Sequence, residues 1–381
     1  MAVLTEEQSM LKDQAQAWVR DESPVQKFRQ MRDSGTPKHF DEATWSEIST
    51  MGWAGILVPE ELGGSGLDYA TFGVVLEETG RQLVASPLFA SGLVGASALM
   101  LGGSDAQQKS WLPDIAAGKR ILTLAVDEGP HHGPIQTALS AEATGDGYTL
   151  NGQKVLVFEG VSADGFVVAA RTSGNPGDTA GMTLFLLPAD TDGIEATALN
   201  TADSRGYANV AFNSVSASAD CVLGEVGQGF ALLEGILDRA RAGLAAEMLG
   251  IGAEAFDRTL EYLKTREQFG QVIGSFQSLG HRAAERFMQM EFARSCVEAA
   301  LRAIDAGRED VPILCSLAKC QVGEFLHDMS NDMIQMHGGI GMTDEFDAGF
   351  FLKRARAVEA AFGGQSFHRR RYIAHFGICL F

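Results

Sequence analysis

Apolar residues recur three and four apart in "EEQSMLKDQAQAWV", "FDEATWSEISTMGW" and "YATFGVVLEETGRQL", the spacing of one face of a helix, and this pattern runs from Thr5 to about Gly118. Thr5 followed by Gln8, and Asp41 followed by Trp45, place caps at helix starts, while "GILVPEELGGSGLD" reads as a loop punctuated by Pro59, Gly63, Gly64 and Gly66. Near Ile121 the period shortens. "ILTLAV", "SAEATGDGYTLNGQKVLVF", "GFVVAART" and "MTLFLLPA" are short runs rich in β-branched residues, and "GDG", "NG" and "SGNPGD" read as turns at the spacing of an antiparallel sandwich or barrel. From Phe230 long amphipathic runs return over 230–265, 276–306, 311–337 and 346–375, which predicts an antiparallel four-helix bundle. The expected architecture is α+β and multidomain: an all-α domain over 1–118, a β-barrel or sandwich over 119–226, and a helical bundle over 227–381.

The last run holds one interruption, "VEAAFGGQSFHRR". Ala360 and Ala361 favour helix, but Gly363 and Gly364 each cost about 1 kcal/mol in a helix interior, so the chain is expected to break there.

Composition narrows the function classes. The chain has 381 residues, enough for two or three packed units, with 45% hydrophobic and 21% charged residues, as in an ordinary globular protein. No stretch approaches the roughly 20 apolar residues of a membrane span. The N-terminus mixes charged and apolar residues without a secretory core, so a cytoplasmic address is expected. A net charge of -19 argues against nucleic acid or an anionic membrane as partner, with a local basic exception in "KRARAVEAAFGGQSFHRRR". Cys221, Cys296, Cys315, Cys320 and Cys379 form no CxxC pair and read as buried free thiols rather than a metal or disulfide set. "HHGP", residues 131–134, reads as an exposed turn, since two adjacent histidines cannot readily share one ion. No metal site is expected.

Other residues suit a dinucleotide-like ligand. Arg266 offers a planar fork of donors matched to a pyrophosphate, although a lone arginine there also reads as a solvated surface charge. Gln268 and Gln277 add neutral donors and acceptors. Gly338, Gly339 and Gly341 let the backbone approach a ligand, so that main-chain N–H groups can face an anion.

The helix, β, helix order at this length resembles the acyl-CoA dehydrogenase family. "YLKTREQFGQVIGSFQSLGHRAAE" is similar to that family's Arg-x-x-Phe-Gly segment, "IQMHGGIGMTDEFDAGFFLKRAR" to its Gln-x-x-Gly-Gly-x-Gly segment, and "MGWAGILVPEELGGSGLD" to its N-terminal loop. The resemblance covers essentially the whole chain. It implies FAD, an acyl-CoA substrate, electron transfer to an electron-transfer flavoprotein, and a homotetramer or heterotetramer. In such tetramers the two C-terminal segments reach a flavin bound mainly by a neighbouring subunit. The implied cofactor contacts are Arg266, Gln268, Phe269, Gln277, Gln335, Gly338 and Gly339.

The resemblance also marks departures. Many members carry a Tyr-Glu-Gly-Thr run whose glutamate removes the substrate α-proton; here Phe362 meets the tyrosine and Gly363 the glutamate, and glycine accepts no proton. Others place the base in an Asp-x-Glu-Arg stretch, which here is Asp238-Arg239-Ala240-Arg241. Two turns on lies Glu247, on nearly the same helix face as Ala240 and flanked by Leu244, Ala245, Ala246, Met248 and Leu249. A carboxylate in such company is costly to bury unless partnered or functional. Two readings follow: a base activated by desolvation, or a structural acid paired with an arginine such as Arg241 or with a neighbouring helix. The "AAE" helix with Phe-Gly in place of Tyr-Glu resembles the branch containing the pimeloyl-CoA dehydrogenase small subunit and the steroid-side-chain dehydrogenases.

In the β region Asp127 stands where members have threonine, and Leu156 and Phe158 stand where Trp and Thr cradle the flavin ring. Asp127 beside a reduced flavin would be repelled. The chain is therefore expected to be an FAD-dependent acyl-CoA dehydrogenase with Glu247 as its base. The rival expectation is a non-catalytic subunit completing the FAD pocket of a heterotetramer, and an oxygen-using relative of the same fold is a third.

Overall fold

The structure, a computed structural model, describes residues 4–377, so Cys379 lies outside the described residues. In chain order it forms α1 (Glu6–Asp21), α2 (Val25–Ser34), α3 (Glu42–Thr50), α4 (Tyr69–Arg81), a π-helical segment (Leu88–Gly95), α5 (Ala96–Gly102) and α6 (Asp105–Ala116). Strands follow: β1 (Leu122–Ala125), β2 (Ser140–Thr144), β3 (Gly147–Val157), β4 (Gly165–Arg171), β5 (Met182–Pro188), β6 (Ile194–Ala198), β7 (Ala208–Ser218) and β8 (Val222–Leu223). The C-terminal part contains α7 (Gly229–Thr265), a small hairpin of β9 (Glu267–Gln268) and β10 (Gln271–Val272), α8 (Gln277–Asp305), α9 (Val311–His337), α10 (Ala348–Ala360) and α11 (Gln365–His375). The predicted helix, β, helix order is what forms.

These elements make two compact units: one from Met1–Gln30, Tyr69–Val84 and Arg241–Phe381, the other from Met31–Asp68 and Ala85–Ala240. In the first unit, α1 starts on a capping box. Gln8 N donates to Thr5 Oγ1 at 3.1 Å and Thr5 N to Gln8 Oε1 at 3.2 Å, which satisfies two of the donors a helix start leaves open. Helices α4 and α7 touch backbone to backbone at two glycines. A Cβ on Gly80 would lie 2.3 Å from Glu247 O, and one on Gly250 would lie 1.8 Å from Glu77 O. This close approach seals one side of the α7 segment that carries Glu247. Helices α10 and α11 both pack on α9, and the break predicted between them falls at residues 361–364.

The second unit is built on a sheet in the order β6-β7-β3-β2-β4-β5-β8, with β1 paired to β4. Most pairings are antiparallel as expected; β1 lies parallel to β4, and Ser140 of β2 meets Arg171 of β4 in parallel. Its core gathers Leu150, Phe166, Val168, Phe185, Val210 and Phe212. Two of the three predicted turns hold: "GDG" joins β2 to β3, and "SGNPGD" lies between β4 and β5. "NG" does not. Asn151 and Gly152 sit inside β3, where the register to β7 shifts between Leu150 and Gly152. Asn151 Oδ1 accepts from Ser214 N at 2.8 Å, so the pair serves a bulge, another common use of a glycine within a strand.

Asp41 caps α3 as predicted, accepting Thr44 N at 2.7 Å. Among the described residues Cys221, Cys296, Cys315 and Cys320 are free thiols, the last two buried and the first two only partly so. No helix among them is long and apolar enough to cross a membrane.

Candidate functional site

The bend between α10 and α11 carries two left-handed residues, Phe362 with φ 53° and Gly363 with φ 105°. A Cβ on Gly363 would stand 2.4 Å from Phe367 Cδ1 and 2.9 Å from His368 Nε2. The position that the resemblance aligns with a glutamate is thus closed in packing as well as empty in chemistry. Two enclosed cations hold its backbone. Arg241 Nε donates to Phe362 O at 3.3 Å, with its guanidinium 5.4 Å over the Phe367 ring. Lys319 Nζ donates to Val358 O at 2.8 Å and Glu359 O at 3.3 Å, carbonyls that the end of α10 leaves without helical partners. Burial pushes the Lys319 amine down to about 7, against the opposing pull of the Glu359 charge.

Glu247 is 6% exposed, on an α7 segment whose residues 241–250 are all buried. Arg354 Nη1 of α10 lies 3.6 Å from Glu247 Oε1, and that guanidinium sits 5.4 Å over the Phe28 ring. An arginine from a neighbouring helix thus meets Glu247, and Arg241 reaches the bend. At 3.6 Å the contact is ionic rather than a short hydrogen bond. It offsets part of the cost of enclosing the carboxylate.

A second group of residues collects at the far end of α7. Arg266 N bonds back to Tyr262 O at 2.9 Å, Ile273 N bonds to Arg266 O at 2.8 Å, and the β9–β10 turn is made by Phe269 and Gly270, both left-handed. Tyr262, one turn before Arg266, stacks on His337 at 4.3 Å between ring centroids and donates its hydroxyl to His337 O at 3.4 Å. His337 is the last residue of α9. Its Nδ1 donates to Met333 O at 2.7 Å, its other face meets Phe346 at 4.5 Å, and burial lowers its pKa below the ordinary histidine value. Sequence reasoning did not single out Tyr262. The available signal was an aromatic residue one helical turn ahead of the candidate arginine.

This stack brings the Arg266 segment to Gly338 and Gly339, which immediately follow His337. Gly338 has φ 65°, and an added Cβ on either glycine would meet nothing within 4 Å. Arg266, Gln268, Phe269, Gln277, Gln335, Gly338 and Gly339 are all exposed, with Phe269 at 91%. Among the described residues, the side chains of Arg266, Gln277 and Gln335 have no hydrogen-bond or ion-pair partner, and Gln268 Nε2 donates to its neighbour's carbonyl at 2.9 Å. Free planar donors beside open glycine backbone fit the pyrophosphate and polar edges of FAD.

The second unit carries the other departures from the family pattern. Lys154 is fully buried and donates to Val126 O at 2.8 Å and Glu128 Oε1 at 2.7 Å; Glu128 in turn accepts from Ala138 N at 2.9 Å and Leu139 N at 3.0 Å. Asp127 accepts His132 Nδ1 at 2.9 Å and Gly133 N at 3.1 Å. The "HHGP" turn is therefore only half as expected: His131 is exposed, while His132 turns inward onto a carboxylate. Leu156 is left-handed and 46% exposed, whereas Phe158 is buried between Phe89 at 5.4 Å and Tyr207 at 4.7 Å, with the Arg205 guanidinium 5.0 Å over its ring.

Known proteins match the chain along most of its length. The acyl-CoA dehydrogenase N-terminal domain model matches residues 5–119, the middle domain model 126–216 and the C-terminal domain model 227–376. Acyl-CoA dehydrogenase FadE27 of Mycobacterium tuberculosis is 31% identical over 88% of this chain and 88% of its own. Among solved structures, the Tcur3481–Tcur3483 steroid ACAD, in a glycine-to-alanine variant, is 30% identical with a TM-score of 0.88, covering 98% of this chain and 99% of that one. The ChsE4–ChsE5 complex of Mycobacterium tuberculosis gives 27% identity and a TM-score of 0.90 over 100% of both chains. The fold and these matches thus define a family of flavin-linked dehydrogenases. This chain belongs to the acyl-CoA dehydrogenase family.

Proposed function

We propose that this chain catalyses the FAD-dependent α,β-dehydrogenation of an acyl-CoA thioester, yielding the trans-2-enoyl thioester and passing electrons to an electron-transfer flavoprotein. The observation that carries the reading is the unpartnered polar fringe of Arg266, Gln277 and Gln335 beside the open backbone of Gly338 and Gly339. Arginines such as Arg29, Arg81, Arg258 and Arg286 are tied to carboxylates, and Arg241 to a carbonyl; Arg266 is left for an anion from outside the chain. When bound, FAD supplies the acceptor for the hydride leaving the β-carbon.

The chain's own residues do the rest. Glu247 accepts the α-proton at a carboxylate oxygen. Its enclosure keeps water away from the carboxylate, while Arg354 keeps it from being an isolated buried charge. Arg266, Gln268, Phe269, Gln277, Gln335, Gly338 and Gly339 hold the cofactor. Phe269, Phe287, Met288, Phe292, Ile340 and Met342 expose apolar surface on the hairpin, on α8 and just beyond α9. Such a cluster suits burial against another subunit, which supports a tetramer in which these segments reach across.

A second reading is a non-catalytic subunit that completes the FAD site of a heterotetramer. It is favoured by the closed position at Gly363 and by Asp127, Leu156 and Phe158 replacing the usual ring contacts. The test is to purify the chain alone and record its visible spectrum before and after anaerobic addition of acyl-CoA thioesters of graded size. A yellow protein that bleaches and forms enoyl-CoA supports the first reading. A colourless homo-oligomer overturns it in favour of the second.

A further inference from the structure

We propose that Lys319 is a positioning residue of the dehydrogenation site: its ammonium, acting with the Arg241 guanidinium, fixes the 358–364 bend in the left-handed form that leaves the usual base position vacant and the backbone close-packed. The inference rests on the dehydrogenase reading for its catalytic consequence, but its structural half stands without it. Lys319 lies within α9 in the apolar run "SLAKCQV", and its side chain has no carboxylate in hydrogen-bond contact. Its bonds go to Val358 O and Glu359 O, and Arg241 takes Phe362 O two residues further on. Three carbonyls leading into Gly363 are thus held by buried cations.

The alternatives for such a lysine are weaker. A buried ammonium kept for stability alone is expected to meet a carboxylate, as Lys154 does with Glu128 at 2.7 Å. A lysine kept for packing alone could be a methionine. What Lys319 adds is a charge-assisted grip on the C-terminal carbonyls of a helix, where a cation is favoured by the helix dipole. The charged groups around it are Arg241 from α7, Glu359 from α10 and the Cys320 thiol on its own helix; His368 of α11 faces the same bend from the other side. Glu359 is itself engaged by Arg356 at 2.8 Å and His327 at 3.1 Å.

The experiment compares the full-length protein with Lys319→Met by hydrogen exchange, following peptides that cover 358–368, and by steady-state kinetics. The expected result is roughly a tenfold or greater loss of protection confined to those peptides, as one strong buried hydrogen-bonding group is removed. The maximal rate should fall about tenfold with the acyl-CoA KM changed less than about twofold, the sign of misplacement rather than lost binding. Unchanged protection over 358–368 overturns the proposal. If Lys319→Met does not fold, the same exchange measurement on Lys319→Gln still decides it. If the parent proves inactive, exchange tests the bend while the dehydrogenase reading fails separately.

Discussion

Lys154 and Lys319 are both enclosed and both direct an ammonium at backbone carbonyls, yet their surroundings differ. In the β-rich unit Lys154 meets a carboxylate, and Glu128 passes that hold on to two backbone amides, so charge and hydrogen bonds close on themselves. In the helical unit Lys319 meets carbonyl oxygens alone, and its proton is held loosely enough to titrate at about 7. Each lysine anchors a segment at which the chain leaves its family's pattern: the Asp127 loop in one case, the Gly363 bend in the other. The first anchor is a permanent clamp and the second an adjustable one. At the Gly363 bend, which the resemblance aligns with a catalytic glutamate, Arg241 and Lys319 thus hold the backbone without any side chain at that position.

The comparison can be broken at several points. The largest effect is expected at Arg354→Met, which leaves Glu247 buried without the guanidinium at 3.6 Å. Stability should fall by about 3–5 kcal/mol in a denaturant titration, and the double variant Arg354→Met/Glu247→Gln should recover much of that loss. An additive double variant would mean that the two residues are not coupled. Next, Arg266→Ala should weaken FAD retention by about 10- to 100-fold, read by flavin released on dilution, with little change in the unfolding midpoint of the flavin-free protein. Undiminished retention would place the pyrophosphate elsewhere.

Gly363→Glu tests whether the lost base can simply be restored. At φ 105°, with Phe367 and His368 in the way, the new side chain should cost about 1–3 kcal/mol and give no gain in turnover. Faster turnover would show that the bend is more accommodating than its packing implies. The smallest and most diagnostic effect concerns pH. Lys319 titrates at about 7 in the fold against an ordinary value of 10.5, so between these the unfolded chain binds more protons than the native one. Stability from this group therefore rises with pH across that window and is level below it. Melting temperatures of Lys319→Met should lack this component; a parent-minus-variant difference independent of pH would contradict it.

Much of this architecture is legible in the sequence because it is local. A change of period near Ile121 and another near Phe230 mark the helix, β, helix order, and Gly363 with Gly364 mark the break in the last helix. "NG" was legible as a special backbone position but not as which kind, since a bulge and a hairpin turn both use glycine, and pairing with β7 decides between them. The site is less legible where its parts come from distant helices. Nothing near Glu247 in sequence points to Arg354, and Tyr262, though it stands one turn before Arg266, does not by itself point to the distant His337 it stacks on. Lys319 did carry a signal, a lone charge among Ala318, Cys320 and Val322, but the carbonyls it holds lie on another helix.

The central claim is that a carboxylate on α7, rather than one at the bend, takes the α-proton. The most direct measurement is enoyl-CoA formed in a single anaerobic turnover by flavin-loaded protein, comparing the parent with Glu247→Gln. The account predicts that the variant keeps its flavin and slows by about 10²- to 10⁴-fold. A variant that forms enoyl-CoA as fast as the parent would contradict it.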